Sequence, residues 1–303
     1  MRNAFAGELA KQIESDGNTV LLSADLGWRS FDQIRKKYPR QFFNMGLAEQ
    51  AMAGVAGGMA KMGKNVFIYS IIPFMLYRAF EQVRNDICYP DLPVRLVGAG
   101  AGLAYGDAGA THHPFEDLRI ADALPNLVVL SPSDPEEVRV LFREMQKINH
   151  PTYMRLGRNG EPAVHDKQNE IKIGKALKLI AGRRVLIVST GVVTRAALDA
   201  AKSINAKDDV AEVLEMHTIK PFDNESIKKA AEGKRLIVTV EDSTGALEEK
   251  VARALIDVGG PHKMLSFKLP DQFTHIAAKS EYLLEHYGIS AKNIADQINK
   301  VKY

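Results

Sequence analysis

One carboxylate in this sequence stands where an unused carboxylate would be costly. The run Asn44-Met45-Gly46-Leu47-Ala48-Glu49-Gln50 reads as a turn, a glycine, and then an acid at the head of a segment rich in Ala, Gly and Met. That segment, 47–62, patterns as a helix able to pack closely. An acid in the first turn of a helix ordinarily faces water and complements the helix dipole. Glu49 instead opens an apolar helix, where burial costs several kcal/mol unless a neighbour takes its hydrogen bond or proton. Two adjacent histidines, His112 and His113, follow a Gly-rich stretch at 98–109. Imidazoles suit proton transfer, although a histidine pair on a loop ordinarily just faces solvent. The run Val97-Gly98-Ala99-Gly100-Ala101-Gly102 approaches a dinucleotide fingerprint, but Leu103 stands where Gly or Ala is needed. Tyr105 and the Gly106-Asp107-Ala108-Gly109 turn also deny the helix that must follow, which argues against a nucleotide-binding dehydrogenase.

These side chains need a scaffold, and 303 residues suffice for about two domains. Hydrophobic residues at 46% and charged residues at 25% are ordinary for a soluble globular protein. A net charge of +3 with no dense Lys/Arg block argues against nucleic-acid and membrane partners. The single cysteine, Cys88, excludes an internal disulfide and points to a reducing, cytoplasmic setting. The first residues pattern as an amphipathic helix without a signal-peptide core, and no run reaches the length of about 18 apolar residues that a membrane span needs.

Over 1–160, helical and strand patterns alternate. The expected elements are a helix at 2–15, a strand at 19–23 ending in Ala24-Asp25-Leu26-Gly27, and the 47–62 helix. A strand at 66–70, a helix at 75–87 and a strand at 94–97 precede the Gly-rich stretch. A helix at 115–123 and a strand at 127–130 follow it. Ser131-Pro132-Ser133-Asp134-Pro135 then reads as a helix start, with Ser133 as the expected cap. Residues 160–174 turn polar and charged and read as a linker. Beyond it come a strand at 184–190, a turn at Gly191, a helix at 194–204, strands at 213–216 and 236–240, and a helix at 244–258. Such alternation predicts an α/β fold of two doubly wound, mostly parallel domains, over 1–165 and 175–303.

Gly46-Leu47-Ala48-Glu49-Gln50 resembles the G-[IV]-A-E-Q element of transketolases and 1-deoxyxylulose-5-phosphate synthases. Further segments fit the same family in the same order. In the first half they are Ser23-Ala24-Asp25-Leu26, Tyr69-Ser70, the run from Arg78 to Asn85, Gly109-Ala110-Thr111-His112-His113-Pro114, Ala123-Leu124-Pro125-Asn126, Ser131-Pro132-Ser133-Asp134 and Arg155-Leu156-Gly157-Arg158. In the second half they are Ile219-Lys220-Pro221-Phe222-Asp223 and Val240-Glu241-Asp242. The resemblance covers essentially the whole chain, which reads as the pyrimidine-binding and C-terminal domains. It implies thiamine diphosphate as cofactor, with Glu49 hydrogen-bonding N1′ of its aminopyrimidine so that thiazolium C2 can lose a proton. Phe74, and after it Tyr77, become the candidates for the wall behind the pyrimidine, and Asp25 borders the cofactor pocket or the subunit interface. Thr111-His112-His113-Pro114 is similar to the T-H-Q-P element whose histidine contacts substrate hydroxyls, which nominates His112 and, beside it, His113. Arg158 matches an arginine that grips substrate phosphate, and Arg29 lies near a second phosphate position.

Two departures qualify the resemblance. Transketolases read G-E-D-G-P-T-H where this chain reads Gly106-Asp107-Ala108-Gly109-Ala110-Thr111-His112. Ala108 therefore replaces the aspartate that reads donor stereochemistry, and Asp107 stands one position early. The G-D-G…N motif that holds Mg²⁺ and the diphosphate has no counterpart. The resemblance thus implies an N-terminal subunit carrying that domain, with Mg²⁺ held mainly by the partner and a heterotetramer as the assembly. The expected reaction transfers a two-carbon ketol unit between sugars. The alternatives are a 2-oxoacid dehydrogenase E1 β-type subunit, a pyruvate-using 1-deoxyxylulose-5-phosphate synthase-like enzyme, and an inactive scaffolding paralogue.

Overall fold

The computed structural model describes residues 1–165, 170–206, 208, 210–256, 258 and 262–301. The first sheet takes β1 (Thr19–Ser23), β2 (Phe42–Asn44), β3 (Asn65–Ile71), β4 (Val94–Ala99), β5 (Val128–Leu130) and β6 (Thr152–Leu156). The second takes β7 (Leu177–Ile180), β8 (Val185–Ser189), β9 (Ala211–Glu215), β11 (Leu236–Val240) and β12 (Lys263–Phe267), while β10 (Thr218–Lys220) joins the first. Every residue of β1, β4, β6, β8 and β11 is buried. Their near-continuous apolar character is what a strand covered on both faces requires.

The first sheet runs β10-β5-β6-β4-β3-β1-β2 and is parallel except for β10. The second runs β12-β11-β8-β9-β7 and is parallel except for β7. Helices close the faces. Helix Arg2–Ser15 buries Phe5, Leu9 and Ile13, one residue per turn along a single stripe. Phe5 packs among the rings of Phe31, Phe67, Tyr69 and Phe142 at 5.8 to 6.3 Å. Helix Glu49–Lys61 lies on the opposite side with the cluster that includes Met52, Ala53 and Ala56. Its glycines allow close approach: a Cβ on Gly57 would stand 2.4 Å from the Asp86 carbonyl oxygen.

Several patterns resolve differently from expectation. The helix foreseen at 75–87 is two π-helical segments, Pro73–Arg78 and Val83–Cys88, around a three-residue α-helical piece, Phe80–Gln82. The wider coil rotates its side chains away from a 3.6-residue register. Asp134, not Ser133, caps helix Pro135–Met145, its carboxylate accepting from the Glu137 N–H at 2.8 Å. The Ser133 hydroxyl turns instead to the Glu137 carboxylate at 3.0 Å. Strands β2, β6 and β10 are too short, or too embedded in motif residues, to show a pattern of their own. The polar linker is described only in part, since residues 166–169 lie outside the described residues.

The two sheets are joined through buried charge. Arg155, at the end of β6, donates to Asp117 Oδ2 at 2.8 Å and to Asp242 Oδ1 at 2.5 Å, all three side chains being fully buried. Burial opposes the charge on Arg155, but the two carboxylates outweigh it and raise its pKa further. The antiparallel pairing of Thr218 with Leu130 adds backbone bonds across the same junction.

Candidate active site

Loops from the carboxyl ends of β1, β2, β3 and β4 converge on one edge of the first sheet, the end where open parallel sheets bind ligands. The turn that presents Glu49 is held by a polar clasp. Asn44 Oδ1 accepts from the backbone N–H groups of Asp25 and Gly46, each at 3.0 Å, and Asn44 Nδ2 donates to Asp25 Oδ1 at 2.8 Å. Gly46, at φ 66°, takes the left-handed conformation that lets the chain reverse before the helix starts. Helix Glu49–Lys61 then begins with its first side chain directed inward, and Glu49 is 1% exposed.

The buried carboxylate has two partners of unequal quality. Ser70 Oγ, at the end of β3, donates to Glu49 Oε1 over a long 3.4 Å. Arg78 Nη1 donates to Oε2 at 2.6 Å, a charge-assisted bond from a side chain that is 44% exposed. The Arg78 guanidinium also lies over the Phe74 ring at 4.7 Å, and Phe74 meets the His112 imidazole edge-on at 5.2 Å and 75°. Glu49, Arg78, Phe74 and His112 thus form one continuous chain of contacts from the buried carboxylate to the loop. A carboxylate in a dry wall, with one oxygen only weakly engaged and an aromatic ring nearby, is a suitable receptor for a flat nitrogen heterocycle. The residues therefore fit an aminopyrimidine, provided Arg78 swings out.

The other anticipated residues lie outside that chain of contacts. Asp25 is exposed and belongs to the clasp behind the Glu49 turn. Tyr77 directs its hydroxyl to Glu116 Oε2 at 3.0 Å, and burial together with Asp117 and Glu116 pushes its pKa up. His113 is buried, stacks on Phe115 at 5.9 Å and bonds through Nε2 to the Tyr105 carbonyl at 3.1 Å. Burial lowers its pKa against the pull of the surrounding carbonyls. Arg158 is exposed, 3.5 Å from Asp107 and above the Tyr105 ring at 5.4 Å. It lines a cleft of about 670 Å³ at the domain junction, with Arg195 and Lys279 on the facing wall. Arg29 is exposed in a left-handed conformation at φ 70°. Asp107 and Ala108 are both exposed on one short 3₁₀ turn.

Arg78 and Ser70 lie in motif segments, yet nothing in the sequence assigns either a role. No local signal places Arg78 over Glu49, 29 residues earlier, because the π-helical winding sets its direction. Nor does any local pattern signal the Arg155–Asp117–Asp242 network or a buried group of Glu137, His165 and Glu215 at the junction. Among the described residues, no helix is long and apolar enough to cross a membrane.

Comparison with known proteins gives a consistent answer over the whole chain. The family model for the transketolase pyrimidine-binding domain matches residues 1–162, and that for the transketolase C-terminal domain matches residues 174–294. The chain is 37% identical over 296 residues to a putative transketolase C-terminal section of Methanocaldococcus jannaschii, covering 96% of this chain and 92% of that one. It is 32% identical over 297 residues to an apulose-4-phosphate transketolase subunit of Phocaeicola vulgatus, covering 97% and 94%. Among solved structures, one described as a split gene transketolase, inactive beta4 tetramer, superposes with a TM-score of 0.89 at 33% identity, covering 99% of this chain and 97% of that one.

Proposed function

The chain belongs to the transketolase family, and from that premise we propose that it is the C-terminal subunit of a split, thiamine diphosphate-dependent transketolase-type enzyme that moves a two-carbon ketol unit from a ketose to an aldose. The observation that carries this reading is the buried Glu49, held at the head of its helix with one oxygen bonded only at 3.4 Å and the other joined through Arg78 to Phe74 and His112. When bound, the cofactor supplies the electron sink for breaking a carbon–carbon bond beside a ketone. The Glu49 carboxylate would hold the pyrimidine edge by a shared proton, in a wall where water does not dilute the interaction. Phe74 backs the ring once Arg78 leaves its face. Asp25, through Asn44, keeps the Glu49 turn in place. His112, at the end of the contact chain, holds the sugar hydroxyls, with His113 supporting the loop from beneath. Arg158 binds a substrate phosphate, and Arg29 is the second candidate for that role.

The diphosphate and Mg²⁺ belong on an N-terminal subunit. Among the described residues, the acid–histidine group dense enough to hold a cation joins the helix after β5, the connector and the end of β9, and shares no residue with the Glu49 contacts. Support for a docked partner comes from exposed apolar side chains along the Glu49 helix and its two ends: Leu47 just before it, Val55 at its middle and Met62 at its C-cap are 77%, 39% and 83% exposed. The two subunits then assemble as a heterotetramer, and the chain alone is expected to be inactive, as the solved tetramer's description says of that protein.

The deciding experiment mixes this chain with an N-terminal transketolase subunit from the same genome and supplies thiamine diphosphate and Mg²⁺. Ketose phosphates, unphosphorylated ketoses and pyruvate are offered as donors. Ketol transfer in the mixture alone supports the proposal, and a preference for pyruvate redirects it to a synthase. Turnover by the isolated chain without thiamine, or no thiamine binding beside the partner, overturns it.

A further inference from the structure

A second chemically loaded cluster lies at the domain junction, and it plays no part in the reaction proposed for Glu49. Glu137 comes from the helix after β5, His165 from the connector and Glu215 from the end of β9, so each contributor sits on a different structural unit. All three side chains are fully buried. His165 Nε2 stands 2.8 Å from Glu215 Oε2 and 3.7 Å from Glu137 Oε1, and one donor atom from each residue lies within 4.8 Å of the other two. Ligand atoms around a tetrahedral zinc at about 2.1 Å are separated by about 3.4 Å, so the spacing falls within the range of a metal site.

The surroundings fix all three residues, with His165 Nε2 also 3.2 Å from the Ser133 hydroxyl, but leave carboxylate oxygens of the two glutamates unsatisfied. Glu137 Oε2 accepts from the Ser133 backbone N–H at 2.7 Å and from the Ser133 hydroxyl at 3.0 Å, which leaves Oε1 aimed at His165. Asp134 Oδ2 accepts from the backbone N–H groups of Val164 and His165, both at 2.7 Å, and so fixes the connector. Glu137 Oε1 and Glu215 Oε1 are buried and have no hydrogen-bond partner among the described residues. Buried carboxylate oxygens are rarely left in that condition. Two carboxylates and a neutral imidazole carry a charge of −2, which a divalent cation cancels while giving both bare oxygens a partner. A single protonated histidine leaves a net negative charge in a dry interior.

The geometry points to a structural metal site formed by Glu137, His165 and Glu215, which takes a first-row transition dication of the zinc class and clamps the two domains together. Mixed nitrogen and oxygen donors in a compact set of three suit Zn²⁺. Mg²⁺ and Ca²⁺ favour larger, all-oxygen shells. This assignment does not depend on the Glu49 reading, and the ion it holds is not the Mg²⁺ expected on the partner.

The test uses the full chain stripped with a chelator and dialysed. Zn²⁺ is titrated against a competing chromogenic chelator, so that weak surface histidines do not register, and the thermal midpoint is read with and without the ion. The expected result is one tight equivalent per chain and a rise of about 5 °C at saturating Zn²⁺. Both should fall away in Glu215→Gln and His165→Asn, with binding weakened by about 100-fold or more, and persist in Glu49→Gln. Circular dichroism identifies any variant that fails to fold. As a check independent of the variants, Co²⁺ bound to the wild-type chain should show the visible absorption of a four-coordinate N/O site. Uptake of no Zn²⁺ by the wild-type chain would overturn the proposal. So would equal uptake by the folded variants, or a preference for Ca²⁺ or Mg²⁺. The cluster would then be an ion pair sharing a proton.

Discussion

Two regions of this molecule bury charge, and they do so in opposite ways. At the junction, Arg155 is enclosed between Asp117 and Asp242, with all three side chains at zero exposure and every partner on the same chain. At the sheet edge, Glu49 is just as deeply buried, but its strong partner, Arg78, is 44% exposed and its second contact is long. A network whose ion pairs are all made within the chain has a structural role, since removing Arg155 strands both carboxylates, each of which already keeps one buried oxygen without a partner. A buried carboxylate tied to the surface by one swinging side chain, and flanked by exposed apolar residues, has the character of half a site. Arg78 ties Glu49 to the Phe74 ring at this edge.

The sharpest way to break this comparison is to remove the charge of Glu49 without changing its shape. With the partner present, Glu49→Gln should cut ketol transfer by about 100- to 10,000-fold while the chain still folds, as thermal unfolding would show. A loss of stability matching the loss of activity would place Glu49 in the same class as the junction. Arg155→Leu should do the reverse, costing about 3 to 5 kcal/mol in denaturant titration because two carboxylates remain buried without a cation. A variant as stable as wild type would mean that the junction is not held by this network. His112→Asn should fall between, lowering transfer by about 10- to 100-fold, the worth of a hydrogen bond to a reacting polar group, with thermal stability unchanged.

The smallest effect belongs to an ordinary cap. Asp223 accepts from Ser226 N–H at 3.2 Å, Ser226 Oγ at 2.7 Å and the Ala176 N–H at 3.0 Å, linking helix Asn224–Ala231 to the approach to β7. Burial pushes its pKa up, but these hydrogen bonds prevail and hold it below the usual value. The sign follows from that: a carboxyl with a depressed folded pKa contributes its full stability above the unfolded value of 3.8 and loses it as pH falls through the lower folded value. Asp223→Ala should therefore cost about 1 kcal/mol near neutral pH. The gap between variant and wild type should close on acidification below about pH 4 in thermal scans. A constant gap down to pH 2 would assign the loss to packing instead.

Much of this architecture is visible before any folding. The strands TVLLS and LIVTV are largely apolar runs, and helix Arg2–Ser15 places one large apolar residue per turn, Phe5, Leu9 and Ile13, on its buried face, so each element records its own environment locally. The placing of Glu49 at the head of an apolar helix was equally legible, and it is 1% exposed. Less legible were the π-helical segments, the short strands β2, β6 and β10, and the choice of Asp134 over its neighbour Ser133 as cap. There the sequence permits two local solutions, and packing against distant residues selects one.

The sequence by itself therefore determined the long helices and the buried central strands, the parallel α/β class and the position of the buried acid, because hydrophobic periodicity and turn chemistry act over a few residues. Only the tertiary structure decided that Arg78 meets Glu49, that Arg155 meets Asp242 87 residues away, and that Glu137, His165 and Glu215 share one dry pocket. Those meetings depend on the order and register of strands in two sheets, which short-range pattern does not encode. The energy that enforces them comes from burying the apolar strands and helix faces, and the partners then offset part of the cost of taking these charges out of water.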